Sequence, residues 1–456
     1  MTQVDSFISA FASFVWGFPL LILLVGGGLF LLFRSRLLPF KYLRHAIQIL
    51  RGKYDDDDSE GDISHFAALT TALSSTIGMG NIAGVAVAIS IGGPGAIFWM
   101  WVSGLIGMCT KFFTCTLSIL YRGKDSTGVI QGGPMYFITE GLGQHWKPMA
   151  IFFSLAGLIG ALPVFNVNQL TQAIGDILLK PEGIEVTTTV NAIIGLILIL
   201  ITCIVIFGGL KRISNTATKL VPAMVAVYFL LVMVILMANY DRVPYYLRLI
   251  ITDAFAANHY TGDPLLGGVL GGLILLGIRR GAFSNEAGIG TAPMAHGAAK
   301  TNEPIREGLV AMLGPAIDTL VVCTLTALAI LVTDAWLVSD VNGVSLTASA
   351  FTDVFQGMGP YLLLLCVAIF SISSLFSFSY YGTKCLSFLI GAENAHWYNY
   401  FYIASIMIGA TFSLDAIINL IDGFYALMAF PTMIATILLS KKVLAKAKDY
   451  FERMKL

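Results

Sequence analysis

Long apolar runs, interrupted by short polar and basic intervals, occupy the chain from about residue 8 to residue 440. A helix that crosses a bilayer needs about 20 consecutive apolar residues. On that rule the pattern predicts eleven spans, near 8–33, 63–91, 95–121, 148–178, 187–208, 214–238, 264–283, 306–333, 359–389, 397–412 and 418–440. The last two are joined by a short turn around Asp415. The first run is too long for a secretory signal and lacks a basic leader, so it reads as a retained helix. After it, RLLPFKYLRHAIQIL reads as an amphipathic interfacial helix and the DDDD run at 55–58 as a solvated turn. Residues 239–256, NYDRVPYYLRLIITDAFA, read as a surface helix, and the loop 334–355 carries acids and no bases.

One stretch resists the pattern. Residues 74–84, SSTIGMGNIAG, place Gly78, Gly80, Gly84, Asn81 and a run of hydroxyls inside a span. In hydrocarbon an unsatisfied backbone group costs several kcal/mol, so a break survives only when buried in protein or lining a wet cavity. Beyond the break, N–H groups at Gly78, Met79 and Gly80 suit a carboxylate. Before it, carbonyls of Ser74, Thr76 and Ile77 suit a hard monovalent cation or an ammonium. Glycine is expected there for unusual dihedrals and for close backbone approach.

Without the first span, ten remain and divide five plus five. The first helix of the second half, LLGGVLGGLILLGIRRGAF, carries Gly267, Gly268, Gly271, Gly272, Gly277 and Gly281, and is read as the second interrupted helix. Interrupted segments at matching positions of two halves point to a transporter site at an inverted-repeat interface. The competing reading is helix packing through small residues four apart, as at Gly80/Gly84 and Gly268/Gly272.

Composition narrows the class. The chain is 57% hydrophobic and 12% charged, with mean hydropathy +0.81, where a soluble protein has about 25% charged residues. It is therefore expected in a bilayer. Zero net charge argues against a nucleic-acid partner. Six cysteines with no Cys-x-x-Cys spacing read as free thiols. The six histidines fall near span ends or loops and form no base or metal cluster, which argues against an enzyme. A channel would need a charged ring or repeated polar lining, and neither is apparent. Basic residues concentrate on one side: Arg34 to Lys53, Arg122 to Lys147, Lys211/Arg212, Lys300/Arg306 and the tail from Lys441. The other side holds Lys180, Arg242 and Arg248. By the positive-inside rule the N-terminus is outside and the C-terminus cytoplasmic.

The motifs GMGN, GGPGAIFWMW (92–101), TKF (110–112), GGPMYFI (132–138), RGAFSNEAGIGTAP (280–293) and SYYG (379–382) run in order along the chain. They resemble the prokaryotic sodium:alanine symporter family, of the bacterial leucine-transporter fold. The resemblance implies an all-α integral membrane protein of eleven transmembrane helices. One N-terminal extra helix (residues 1–60, with its amphipathic connection) precedes a core at 61–456. That core holds inverted repeats at about 61–240 and 262–440, two discontinuous helices and a basic cytoplasmic tail. It further implies symport of a small neutral amino acid, alanine or glycine, with sodium as coupling ion and no other cofactor, in the prokaryotic inner membrane. Carried over by position, Gly78, Gly80, Asn81, Asn166, Gln169, Ile274, Ser374 and Phe378 are the expected substrate contacts. Ser74, Ile77, Ser373 and Ser374 form the expected sodium site, consistent with the oxygen donors a hard cation requires. Asn166, Asn168, Gln169 and Gln172 could instead bond across helices, and Ser371 and Ser377 could back-bond to their own helix.

Several residues depart from this family or stand outside its motifs. Ser377 and Phe378 replace a Gly–Trp pair, and Thr114 and Thr383 stand where acids are common, which leaves the amino acid open, with serine and glutamine as alternatives. Lys219 raises a second mechanism, an amine in place of the sodium ion and hence proton coupling. Asp318 is an intramembrane acid and so a functional candidate. Glu286 and Arg280 fall near the expected inner mouth, as a gate pair or as local end-capping. Arg279 has no reading.

Overall fold

The structure, a computed structural model, describes residues 3–55, 58–262, 268–337, 343–412 and 415–455. Gly267, Asp56, Asp57, the middle of the acidic loop (338–342) and residues 413–414 of the last turn lie outside the described residues.

Among the described residues, eight helices are long and apolar enough to cross a membrane. They are α1 (Ser6–Arg34), α4 (Gly95–Leu120), α5 (Gln144–Glu182), α6 (Thr188–Ile206), α7 (Gly209–Ala238), α10 (Pro304–Val332), α11 (Val344–Ile390) and α13 (Ile417–Met454). A ninth span results if α2 (His65–Thr76) and α3 (Gly80–Gly92), bent by 57° at their junction, are taken together. The remaining two expected segments are also helical, α8 (Gly268–Asn285, 18 residues) and α12 (Trp397–Thr411, 15 residues), but neither meets that length and apolarity. Between them in sequence lies the one-and-a-half-turn α9 (Thr291–His296), after α8. The amphipathic connection contains the helix Leu43–Leu50, with His45, Ala46 and Ile49 buried, and the surface helix is Val243–Ala256. Cysteines 109, 115, 323, 366 and 385 are buried and free.

The helices segregate their faces as a lipid solvent demands. On α6, Ile193, Leu196, Ile197, Leu200 and Ile204 are exposed at helical spacing, whereas Ile194, Leu198 and Val205 pack inward. An apolar stripe that large is the lipid-facing side of a span.

Gly272, Gly277 and Gly281 of α8 serve packing, which corrects the expected location of the second break. A Cβ on Gly277 would lie 2.5 Å from the Ala96 carbonyl oxygen and from Trp99 Cβ, and one on Gly281 would lie 2.7 Å from Ser103 Cβ. These residues let α8 lie directly against α4. Gly272 likewise admits the Tyr260 hydroxyl, 2.5 Å from the position of an added Cβ. The chain leaves helical geometry further on, between α8 and α9, where Glu286 (φ 55°), Gly288 (φ 90°) and Gly290 (φ 113°) have left-handed backbone. Gly288-Ile-Gly290 there repeats the spacing of Gly78-Met-Gly80.

Candidate substrate and ion site

Ser64 starts α2 by accepting a hydrogen bond from the Ala67 amide (3.2 Å). The helix runs to Thr76, and Ile77 leaves it with ψ 96°, turning its carbonyl out of the helical ladder. A tight turn follows, in which the Asn81 N–H donates to the Gly78 carbonyl (3.2 Å) and the Gly78 N–H donates to Asn81 Oδ1 (2.8 Å). Gly78 and Gly80 have negative φ, so the expected special dihedral is not why they are glycine. Proximity is. A Cβ on Gly78 would sit 3.0 Å from Ser374 Oγ, and Gly80 faces Ser284 and Phe283 across the cavity wall.

Asn81 does not line the cavity, contrary to expectation. It is fully buried behind the break, where its Nδ2 donates to Asp318 Oδ1 (2.6 Å) and Ser284 Oγ (3.2 Å). Asp318 also accepts from Ser284 (2.9 Å) and Thr319 (2.8 Å). The intramembrane acid therefore braces both interrupted helices from behind. Asn81 already holds the Gly78 amide, and Met79 and Gly80 continue the turn along the cavity wall.

The cavity, about 60 Å³, is lined by Ser75, Thr76, Gly78, Met79, Gly80, Asn166, Phe283, Glu286, Phe378, Asp422 and Tyr425, with Gly160, Leu162, Phe165 and Ile421. Both breaks thus open on it, and so do three more expected residues or neighbours of expected residues: Asn166, Phe378 and Thr76. Glu286, in the second break, accepts from Thr291 Oγ1 (2.5 Å) and Ser75 Oγ (3.5 Å). Residue spacing along one helix could not reveal this acid as a cavity wall, although the Gly-x-Gly beside it could have.

Gln169 lies elsewhere. It lines a second cavity of about 170 Å³, together with Trp16, Arg279, Arg280, Gly84 and Val87. It also borders a third of about 600 Å³ walled by Asn168, Gln172, Asp176 and Lys180. The two amides stand three residues apart on one helix, offset by about 4.5 Å along its axis, and they border successive chambers. Asn168 bonds across helices, to the carbonyls of Gly409 and Phe412 (both 3.4 Å). Ile274 is half-buried on α8 and borders neither of the first two cavities. Arg280 opens on the second cavity and not beside Glu286, so these two residues form no gate pair.

The expected cation residues converge. Ser373 Oγ on α11 lies 3.4 Å from the Ser74 carbonyl oxygen, and Ser374 Oγ lies against Gly78. Both hydroxyls also donate to the Phe370 carbonyl (2.8 and 3.1 Å), so they are pre-oriented on their own helix. Ser377 does more than back-bond: it donates to the Thr71 carbonyl (3.0 Å) and meets Ser74 Oγ. Ser371 Oγ is buried with no hydrogen-bond partner among the described residues. On α7 the residue that reaches this corner is Met224, whose sulfur is 3.7 Å from Ser373 Oγ. Lys219, five residues earlier, is exposed and does not take the cation's place.

The three cavities form a funnel. The 600 Å³ and 170 Å³ chambers share Gln169, and the 170 Å³ and 60 Å³ chambers share Met79, Gly80, Phe165, Phe283 and Asp422. Phe165 and Phe283, edge to face with centroids 6.0 Å apart, stand at the inner junction. At the opposite end the protein is closed. Residues 60–63 pair with 298–301 through backbone bonds (Asp62 N–H to Ala298 O, 2.9 Å; Lys300 N–H to Ile63 O, 2.7 Å; Thr301 N–H to Glu60 O, 3.0 Å). Arg122 clamps the same two segments, donating to the carbonyls of Glu60 (3.1 Å), Gly297 (3.0 Å), Thr301 (3.0 Å) and Ala299. Burial lowers the Arg122 pKa against the pull of nearby acids, chiefly Glu307 and Glu60, yet a guanidinium that starts above 12 stays charged. Glu307 lies between Nδ1 of His65 and Nδ1 of His296 at this end.

A bundle with two interrupted helices facing one small polar cavity defines the class of membrane carriers with the leucine-transporter fold. The solved structure of MhsT in complex with L-phenylalanine has that fold and matches here with a TM-score of 0.57, at 14% identity, over 85% of this chain and 89% of that chain. The chain matches the sodium:alanine symporter family over residues 1–456, and it belongs to that family. A protein of Methanococcus maripaludis described as "Sodium/alanine symporter AgcS" is 39% identical over 98% of this chain and 97% of its own length. An "Uncharacterized transporter" of Haemophilus influenzae is 40% identical over 99% and 97%. A Bacillus subtilis protein described as "Probable sodium/glutamine symporter GlnT" is 34% identical over 100% and 92%. The chain is accordingly a multi-pass membrane transporter and not an enzyme.

Proposed function

We propose that this protein imports a small neutral amino acid, alanine or glycine, together with sodium across the prokaryotic inner membrane. In this reading the eleven helices are one N-terminal helix plus a five-plus-five inverted repeat, with the N-terminus outside. The observation that carries it is the break at Ile77–Gly80, which faces the 60 Å³ cavity on one side and Ser373/Ser374 on the other. The Met79 and Gly80 amides take the substrate carboxylate at the positive end of α3. The carbonyls of Ser74 and Ile77 with the hydroxyls of Ser373 and Ser374 take sodium, and their all-oxygen donor set suits that cargo. Phe378 walls the side-chain pocket.

Volume favours alanine or glycine over glutamine. At about 60 Å³ the central cavity is the smallest of the three chambers, beside about 170 and 600 Å³, so it suits the smaller side chains. The open funnel and the closed opposite end fit an outward-facing state in an alternating-access cycle. Substrate and ion share Gly78 as a common wall, so each stabilises the other's site, with coupling typically about 1–3 kcal/mol. One charge moving across 100 mV supplies about 2.3 kcal/mol, enough for roughly 50-fold accumulation. Proton coupling, the alternative, loses its motive with Lys219 exposed.

The test is uptake of a panel of labelled amino acids by proteoliposomes, with and without a sodium gradient and with a proton ionophore. Saturable alanine or glycine uptake that needs sodium and survives the ionophore is expected. Uptake that needs a proton gradient and ignores sodium would overturn the ion assignment.

A further inference from the structure

The closed end holds three titratable side chains that neither the substrate nor the sodium site uses. His65 is the first residue of α2, His296 is the last of α9, and Glu307 lies in the first turn of α10. All three are buried. Glu307 meets the two imidazoles through separate oxygens, Oε2 at Nδ1 of His65 and Oε1 at Nδ1 of His296. One carboxylate therefore ties the helix that leads into the first break to the helix that leaves the second. The backbone pairing of residues 60–63 with 298–301 adjoins it in the chain on both sides.

A carboxylate accepts hydrogen bonds, so both Nδ1 atoms donate to it. Each Nε2 is then a lone pair on a neutral ring or an N–H on a charged one. His296 Nε2 is buried with no hydrogen-bond partner among the described residues. An N–H left unpaired in the interior is costly, which assigns the neutral form to His296 and leaves His65 as the ring that takes a proton. A buried carboxylate needs a positive partner, and protonated His65 supplies one in direct contact. The surrounding charges do not replace it. Arg122 is within electrostatic reach of Glu307, but its guanidinium already donates to four carbonyls. Arg306 repels a charge on His65 and Asp55 attracts it, and Arg306 is itself bonded to the Tyr54 carbonyl (3.0 Å). Glu60 and Asp62 lie near Arg122, and Glu303 is held by Arg453 (2.9 and 3.1 Å). Lys384 of α11 donates to the Met294 carbonyl of α9 (3.0 Å). Cys115 of α4 also lies within reach of Glu307, and a thiol adds no charge at neutral pH.

We propose that His65, Glu307 and His296 form a binding site for one regulatory proton, which locks this end of the carrier closed. The proposal rests on the alternating-access reading above, in which this end faces the cytoplasm. The sign follows from linkage. Opening separates α2 from α10 and takes the imidazolium away from its carboxylate, so added protons favour the closed state. The lock is engaged at about pH 6 and released at about pH 8, on either side of the ordinary imidazole range. An acidified cytoplasm thus holds the carrier shut toward that side, and an alkaline one frees it to release its cargo.

The experiment labels Ile63→Cys with an impermeant maleimide in the full chain in lipid nanodiscs, at about pH 6 and about pH 8. Each rate, with the background of the native thiols subtracted, is divided by that of the same cysteine in unfolded protein at the same pH. This removes the titration of the thiol itself. Labelling about tenfold faster at the higher pH is expected. His65→Gln keeps a side-chain N–H for Glu307 but cannot titrate, so its two rates should agree within about twofold. Glu307→Gln should lose the pH response and His296→Gln should keep it. A flat response with His65 present, an undiminished response in His65→Gln, or a response lost in His296→Gln overturns the proposal. If His65→Gln fails to fold, the response with His65 present and its loss in Glu307→Gln decide the matter. A flat response alongside intact sodium-driven uptake in proteoliposomes defeats the proton site alone. A protein that takes up no neutral amino acid defeats the symport reading beneath it.

Discussion

Gly78 and Gly80 lie two residues apart, yet substitution should affect different partners. An added Cβ at Gly78 meets Ser374 Oγ at 3.0 Å, tighter than ordinary contact, so Gly78→Ala pushes on a hydroxyl of the proposed ion site. The expected outcome is a sodium half-saturation raised about tenfold, a change of about 1.4 kcal/mol, read from uptake against sodium concentration. At Gly80 the nearest atom to an added Cβ is 3.5 Å away, so a methyl group fits without strain. Gly80→Ala should therefore reduce uptake modestly, whereas the branched side chain of Gly80→Val fills the cavity and should abolish it. Both variants should stay monodisperse in gel filtration. Full uptake by Gly80→Val would remove the carboxylate cradle from consideration.

Helices approach one another in this protein according to where glycine permits it. Gly277→Ala places a methyl 2.5 Å from the Ala96 backbone oxygen, and backbone cannot step aside as a flexible side chain can. Overpacking of this kind costs about 1–3 kcal/mol. Gly277→Ala should lower the thermal unfolding midpoint while leaving the KM of the surviving protein unchanged. At the closed end, Arg122 joins the start of α2 to the end of α9 through four carbonyls. Each hydrogen bond from a charged donor contributes about 1.5–3 kcal/mol to the state that makes it. Arg122→Ala should therefore shift the population toward opening at this end. A cysteine placed at Ile63 should then react with a membrane-impermeant maleimide from that side about tenfold faster.

Across the whole molecule the two proposed ligands meet at one break between α2 and α3, so their binding should be linked. Ligands that bind the folded state stabilise it by mass action, about 2.7 kcal/mol at a hundredfold excess over Kd. Alanine should raise the unfolding midpoint in sodium and leave it unchanged when choline replaces sodium. Reciprocally, alanine should tighten sodium binding by the same factor. An equal alanine effect in both salts would separate the two sites.

Much of this architecture was legible in the chain because bilayer and backbone physics act locally. Apolar run length marked the long spanning helices, and the improbable SSTIGMGN inside a span marked the first break, since only a cavity or protein contact tolerates open backbone there. The second break was misplaced because glycine has two uses that sequence alone does not distinguish. At Gly277 and Gly281 it admits a neighbouring helix, at Gly272 a tyrosine hydroxyl, and at Gly288 and Gly290 it supplies left-handed backbone. The direction of side chains was likewise beyond reach. Asn81 turned inward to Asp318, Gln169 opened on an outer chamber and Lys219 faced outward, because each orientation depends on helices distant in sequence. The sequence by itself determined a membrane carrier with an interrupted helix, through hydropathy and the cost of unpaired peptide groups. Only tertiary structure decided which polar residues share a cavity, since a helix's rotation is set by what packs against it.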